Sequence, residues 1–148
     1  MKASAGDVVM LVENCFPADS RVRNEAFTLR DSGFNVSVIA LRKEGEPARE
    51  TVEGVSVYRV PRLTVFKKLP GAAPSAGRRA LNAVQSVFGY VTEYSYFTAA
   101  CLALSLWIAA RRGADVVHAH NPPDTLFVVG GLFRLLGKKY VFDHHDLS

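Results

Sequence analysis

The segment "DVVMLVEN", Asp7 to Asn14, limits the fold more than any other part of the chain. Five consecutive apolar residues closed by polar ones mark a strand covered on both faces, because a half-exposed strand would alternate. Such a strand needs helices above and below it. The next segment, "SRVRNEAFTLRDSG", supplies one, with Val22, Ala26 and Leu29 at helical spacing. Asp19 or Ser20 can cap its start, and Gly33 can take the left-handed conformation that ends it. "FNVSVIAL" is a second apolar strand. "RKEGEPARETVEG", charged and broken by glycine and proline, is predicted to be a loop. "VSVYRVP" alternates and stops at Pro61, as a shorter strand does.

A surface connection rich in proline and glycine is expected from Leu63 to Gly77. One long helix, or two broken near Gly89, then runs to Arg112. "ADVVHA" is a fourth strand, "PPDTLFVVGGLFRLLG" a helix starting on proline, and "KKYVFD" a fifth strand. The Gly130-Gly131 pair weakens that last helix unless close packing requires it. The order predicts an α/β domain: a Rossmann-like parallel sheet with helices on both faces. Such sheets bind ligands beyond the C-terminal ends of their strands. That edge receives "ENCFPADSR" after the first strand, "HNPPD" after the fourth and "HHDLS" after the fifth, so the unusual polar residues fall where a ligand sits. The first turn has no glycine for a dinucleotide's pyrophosphate, which argues against a nicotinamide or flavin dehydrogenase.

The chain has 148 residues, 49% hydrophobic and 22% charged, enough for one domain, 1–148, with its own core. Its net charge of +4 suits phosphorylated ligands or an anionic membrane surface. No basic stripe interleaved with aromatics marks a nucleic-acid partner. Cys15 and Cys101, far apart and outside any CxxC pair, read as reduced thiols, and the N-terminus lacks a signal-peptide pattern. A cytoplasmic protein is expected. "FTAACLALSLWIAA", Phe97 to Ala110, falls short of the ~20 residues needed to span a bilayer and reads as a core helix. Peripheral contact through it and "FKK", Phe66 to Lys68, is the lesser option.

At the sheet edge, alternation puts His118 and His120 on one side of the fourth strand, with Ala119 opposite. His118, inside the strand, reads as a core histidine. His120, at the strand exit, is expected to be a rigid, partly exposed imidazole facing a cleft, able to donate a hydrogen bond or hold a proton near neutral pH. Asn121 is placed to cap the following helix. "DHHD", Asp143 to Asp146, leaves by the same edge, and His144 or His145 could meet His120 there. Asp143 and Asp146 taken singly read as a strand-end turn and a helix cap. Arg21 and Arg23 oppose the dipole of the first helix, which suits an anionic ligand or a salt bridge to Asp19, Glu25 or Asp31. Glu25 is a solvated residue or an orienter of those arginines.

"DSRVRNEAFTLRDSGFNVSVIALR", "VEGVSVYRVP" and "ADVVHAHNPPDTLFVVGGLFRLLGKKYVFDHHDLS", in that order, resemble the N-terminal domain of family 4 glycosyltransferases. The resemblance covers nearly the whole chain, Leu63 to Arg112 least. It implies a retaining enzyme of the GT-B fold, of which this is the N-terminal, acceptor-side half. A sugar nucleotide would bind mainly to a C-terminal half that this sequence does not contain, and the chain reads as a cut piece, inactive alone. The implied substrates are a sugar-nucleotide donor and a glycan or lipid-linked acceptor, as in bacterial members that make cell-surface polysaccharides or glycolipids. His120 matches the histidine that faces the donor sugar; Asp19, Arg21, Asn121, His144 and Asp146 fall on turns that line the cleft. No cofactor or essential metal is implied. "CFPAD" replaces the glycines many relatives place after the first strand, which puts donor contact there in doubt.

Two other functions compete. The His/Asp turns could ligate a divalent metal and make a hydrolase or phosphoesterase, or the domain could be a non-catalytic module for an anion or a membrane surface. A homodimer through apolar surface that a second half would cover is a further expectation.

Overall fold

A computed structural model describes residues 4–65 and 75–144. The strands are β1 (Asp7–Cys15), β2 (Asn35–Arg42), β3 (Arg49–Val52), β4 (Val55–Pro61), β5 (Val116–His120) and β6 (Lys139–Asp143). The helices are α1 (Ser20–Asp31), α2 (Ala76–Arg112) and α3 (Phe127–Leu135), the last preceded by a single 3-10 turn, Asp124–Leu126. The sheet order is β3-β4-β2-β1-β5-β6. All pairings are parallel except β3 with β4.

The two-sided burial expected of β1 is present. Val8, Met10 and Val12 join Val22 and Ala26 of α1 in one core, while Val9 and Leu11 join α2 and α3 in the other. Helices therefore cover both faces, and the C-terminal edge of the sheet is left between them.

Two expectations are corrected, and one left between two alternatives is decided. The charged stretch after β2 is not all loop, because Arg49–Val52 forms an antiparallel edge strand. The cause is a two-residue hairpin turn, Glu53-Gly54, with φ of 47° and 85°, the paired positive angles that match strand twist. Helix α2 is one unbroken helix, with Gly89 buried inside it. The helix after β5 does not begin on proline, since Pro122 and Pro123 lie ahead of the 3-10 turn.

Gly130 is required by packing: a Cβ there would come 2.0 Å from the Tyr140 ring, whereas one on Gly131 would meet nothing within 4 Å. In α2, Phe97, Cys101 and Ile108 are buried, so Phe97 to Ala110 is a core-facing helix, as expected. Among the described residues no helix is long and apolar enough to cross a membrane. Phe66 to Lys68 lie outside the described residues. Cys15 and Cys101 are free thiols, and burial pushes the Cys101 thiol far up, toward inertness.

Candidate functional site

β5 enters the C-terminal edge between β1 and β6, and the alternation of its side chains decides what it delivers there. His118 pairs with Met10 and His120 with Val12, which puts both imidazoles on the α1 face, their ring centroids 4.2 Å apart. α1 brings Glu25 to that face, and its Oε2 lies 3.5 Å from His120 Nε2. From the other side, β6 places Asp143 in direct register with His120. The Asn121 N–H donates to the Asp143 carbonyl at 3.0 Å, and Asp143 Oδ2 lies 3.6 Å from His120 Nδ1. The result is a line, Glu25–His120–Asp143, with His118 stacked beside it.

The His120 side chain is 2% exposed, against 39% for Glu25 and 26% for Asp143. A partly exposed imidazole was expected, and that expectation is overturned. The ring is buried between Glu25 and Asp143, and Glu25 is the member of the line nearest solvent. The residue in register with His120 is Asp143, because a parallel register aligns the last residues of β5 and β6.

Ligand atoms of Glu25, His118, His120 and Asp143 all lie within 4.8 Å of one another, and two imidazoles with two carboxylates form a donor set suited to a divalent transition metal. Bonds of about 2.0 to 2.1 Å in a tetrahedral shell put neighbouring donors about 3.3 Å apart, so the side chains would have to close in. His120 also directs its two nitrogens at different carboxylates, and one imidazole offers a metal one nitrogen. The arrangement is closer to a relay than to a chelate.

Asp19 is the N-cap of α1, accepting from the Arg21 and Val22 N–H groups at 3.1 and 3.4 Å and from Asn14 Nδ2 at 3.1 Å. Burial works to raise its pKa, but these hydrogen bonds and the Arg21 charge outweigh it and hold the carboxyl below its usual value. Arg21 is exposed, its guanidinium 3.5 Å from Asp19. Glu25 lies against His120. Asn121 does not cap the following helix; its side chain donates to Asp124 Oδ1. Asn121 and His144 do come together, lining a shallow cavity of about 310 Å³ with Pro122, Pro123, Asp124 and Tyr94. Asp146 and His145 lie outside the described residues.

A larger cavity, about 540 Å³, lies at the same edge on the α2 side. Glu13 of β1, Arg62 beyond β4, and Tyr90, Glu93, Tyr94 and Phe97 of α2 line it. None of these was singled out as a binding residue from the sequence. Glu25 had a readable signal: it sits three residues after Val22 and four before Leu29, on the edge of the buried stripe of α1.

A doubly covered sheet with its polar residues gathered at the C-terminal edge defines a Rossmann-like α/β domain. Residues 18–148 match the Glycosyl transferase 4-like domain, and the chain belongs to that family. Among solved structures it is similar to a sucrose-phosphate synthase from Thermosynechococcus elongatus, with TM-score 0.56 and 11% identity over 95% of this chain. It spans 64% of that protein's chain. No curated protein matches it.

Proposed function

We propose that this chain is the acceptor-side half of a retaining glycosyltransferase. It would pass a sugar from a sugar nucleotide to a glycan or lipid-linked acceptor in cell-surface polysaccharide or glycolipid synthesis, at the cytoplasmic face of the membrane. In this reaction the bond from the sugar to the nucleotide's phosphate breaks, a bond to an acceptor hydroxyl oxygen forms, and the hydroxyl proton leaves. The observation that supports the reading best is the Glu25–His120–Asp143 line at the ligand-binding edge of a domain of this family. Asp143 orients the ring through Nδ1, and Glu25 is the member a sugar hydroxyl reaches first. His120, whose two ring nitrogens face the two carboxylates, links them. Asp19, Arg21, Asn121 and His144 lie on the surrounding turns as substrate-binding residues, and Asp146, outside the described residues, is proposed with them. The negative charge of the departing nucleotide falls to basic groups of the donor-binding half, and no metal ion is invoked.

The test assays the chain together with its donor-binding half, whether that half is encoded in the same frame or supplied separately, against sugar nucleotides and saccharide acceptors. Transfer is expected, and His120→Ala should lower kcat by about 10² to 10⁴. Neither transfer nor donor hydrolysis across a broad donor panel would sink the reading. The four-residue donor set favours a second reading, a metal-dependent hydrolase. Stoichiometric zinc, manganese or iron on the purified protein would favour it over the first.

A further inference from the structure

The cavity on the α2 side has the make-up of a saccharide site. Its wall is aromatic: Tyr90 and Tyr94 lie one turn apart on α2, ring centroids 6.1 Å apart and tilted by 37°, with Phe97 beyond them. Rings so placed offer flat apolar area to the C–H face of a pyranose while their hydroxyls stay available for hydrogen bonds. Two carboxylates, Glu13 and Glu93, supply acceptors for sugar hydroxyls, since an ionised carboxylate only accepts. Glu93 Oε1 already accepts from the Val65 N–H at 3.1 Å, which fixes its position. At about 540 Å³ the cavity is of the size that holds small ligands, and a few polar groups set among aromatics are how such sites orient them.

Its electrostatics limit which sugars fit. Burial pushes the Glu13 carboxyl up; Arg62 pulls it down and Glu93 pushes it up again. Burial also pushes the Tyr94 hydroxyl up, reinforced by Glu13, Tyr90, Glu93 and Asp124, so it remains a donor. A sugar carrying its own carboxylate would meet two like charges against the single cation of Arg62. The cavity also has a direction. Tyr94 lines both it and the smaller cavity that holds Asn121 and His144, so one side chain joins this site to the corner after β5.

We infer that the cavity between α2 and the ends of β1 and β4 binds an uncharged pyranose, with Tyr90 and Tyr94 as its platform and Glu13 and Glu93 as its hydroxyl acceptors. That this sugar is the acceptor terminus rests on the function proposed above; that the site binds it does not. Saturation-transfer NMR and titration of the chain itself with methyl gluco-, galacto- and mannopyranoside, and with the matching methyl uronates, test it. At least one neutral glycoside should bind, with its uronate weaker by about tenfold or more. Tyr94→Ala should weaken binding by about tenfold. Glu93→Gln, milder for the fold, should narrow the preference for the neutral sugar over the uronate. Failure of every neutral glycoside to bind, equal binding of the uronates, or indifference to both substitutions would overturn the inference. Binding here with no transfer by the two halves together would leave this site standing and sink the transferase reading, whereas transfer without binding here would do the reverse.

Discussion

Arg59 and His120 invite comparison. Each is an ionisable side chain almost wholly buried, 1% and 2% exposed, and each lies between two carboxylates. Arg59 has Glu46 at 3.0 Å and Glu50 on its other nitrogens, and also donates to the carbonyls of Phe16 and Pro47 at 3.1 and 3.2 Å. It fastens the turn after β1 to the β3–β4 hairpin. Its charge is permanent, and its fork of donors is met by fixed acceptors. His120 sits at the C-terminal edge of the sheet, and an imidazole, unlike a guanidinium, can gain or lose a proton. Burial between two acids therefore does not identify a functional residue. What separates the two is whether the buried group can change state, and whether a ligand can reach its partners.

The largest expected effect breaks the comparison if it comes out wrong. Arg59→Ala removes one side of a buried ionic cluster and leaves Glu46 and Glu50 facing a void, at a cost of about 3 to 5 kcal/mol. For a domain of this size that lowers Tm by roughly 10 °C. His120→Gln keeps a polar side chain of similar size and should cost no more than about 1 to 2 kcal/mol. Thermal unfolding of both variants decides the matter. A His120→Gln protein as unstable as Arg59→Ala would make the histidine a second clip and remove the main support for the catalytic role proposed for it.

How far the sequence revealed this arrangement depends on what each residue needed from its neighbours. The strand–helix order was legible because β1, β2 and α1 bury their faces by simple periodicity: Val8 and Met10 on one side, Val9 and Leu11 on the other. β3 was hidden because charged Arg49 and Glu50 and the Glu53-Gly54 turn look like loop, although that turn is what pairs the strand. The polar corner "HAHNPPD" was legible as the C-terminal end of a strand but not as the place of a buried ring. Glu25, the partner of His120 on α1, lies 95 residues upstream in the sequence, and its partner Asp143 is set by a register that one strand cannot declare. The α2 cavity was illegible. Its residues come from β1, the turn beyond β4 and one face of a helix, with no motif in any of them.

A smaller effect sharpens the distinction between fixed and changeable charge. Asp19→Ala should cost about 1 kcal/mol at neutral pH, the usual loss for a removed helix cap. Because the folded state holds the Asp19 carboxyl below its usual pKa, its contribution is present above the unfolded value of 3.8 and is lost as pH falls through the folded value. Wild type and variant should therefore converge in stability under acid. A difference that stayed constant through the acid range would mean that the carboxylate's charge plays no part in the cap.

Glu13 should give the smallest effect, and one of opposite sign. Burial, opposed by Arg62 and helped by Glu93, raises its pKa in the folded state above the ordinary glutamate value of 4.5. The stability it contributes is complete in acid, below the unfolded value, and declines as pH rises through the folded value. Glu13→Gln removes that decline. The variant should match wild type in acid and become slightly the more stable of the two toward neutral pH, as chemical unfolding at a series of pH values would record. The same substitution should weaken binding of neutral glycosides, because an amide has one acceptor oxygen where the carboxylate has two. Arg59 stabilises the fold through a charge that cannot change; Glu13 holds a charge the fold disfavours, at a place where a ligand's hydroxyls would satisfy it. If Glu13→Gln instead lost stability at neutral pH, Glu13 would belong with Arg59 among the clips, and the α2 cavity would lose one of its two proposed hydroxyl acceptors.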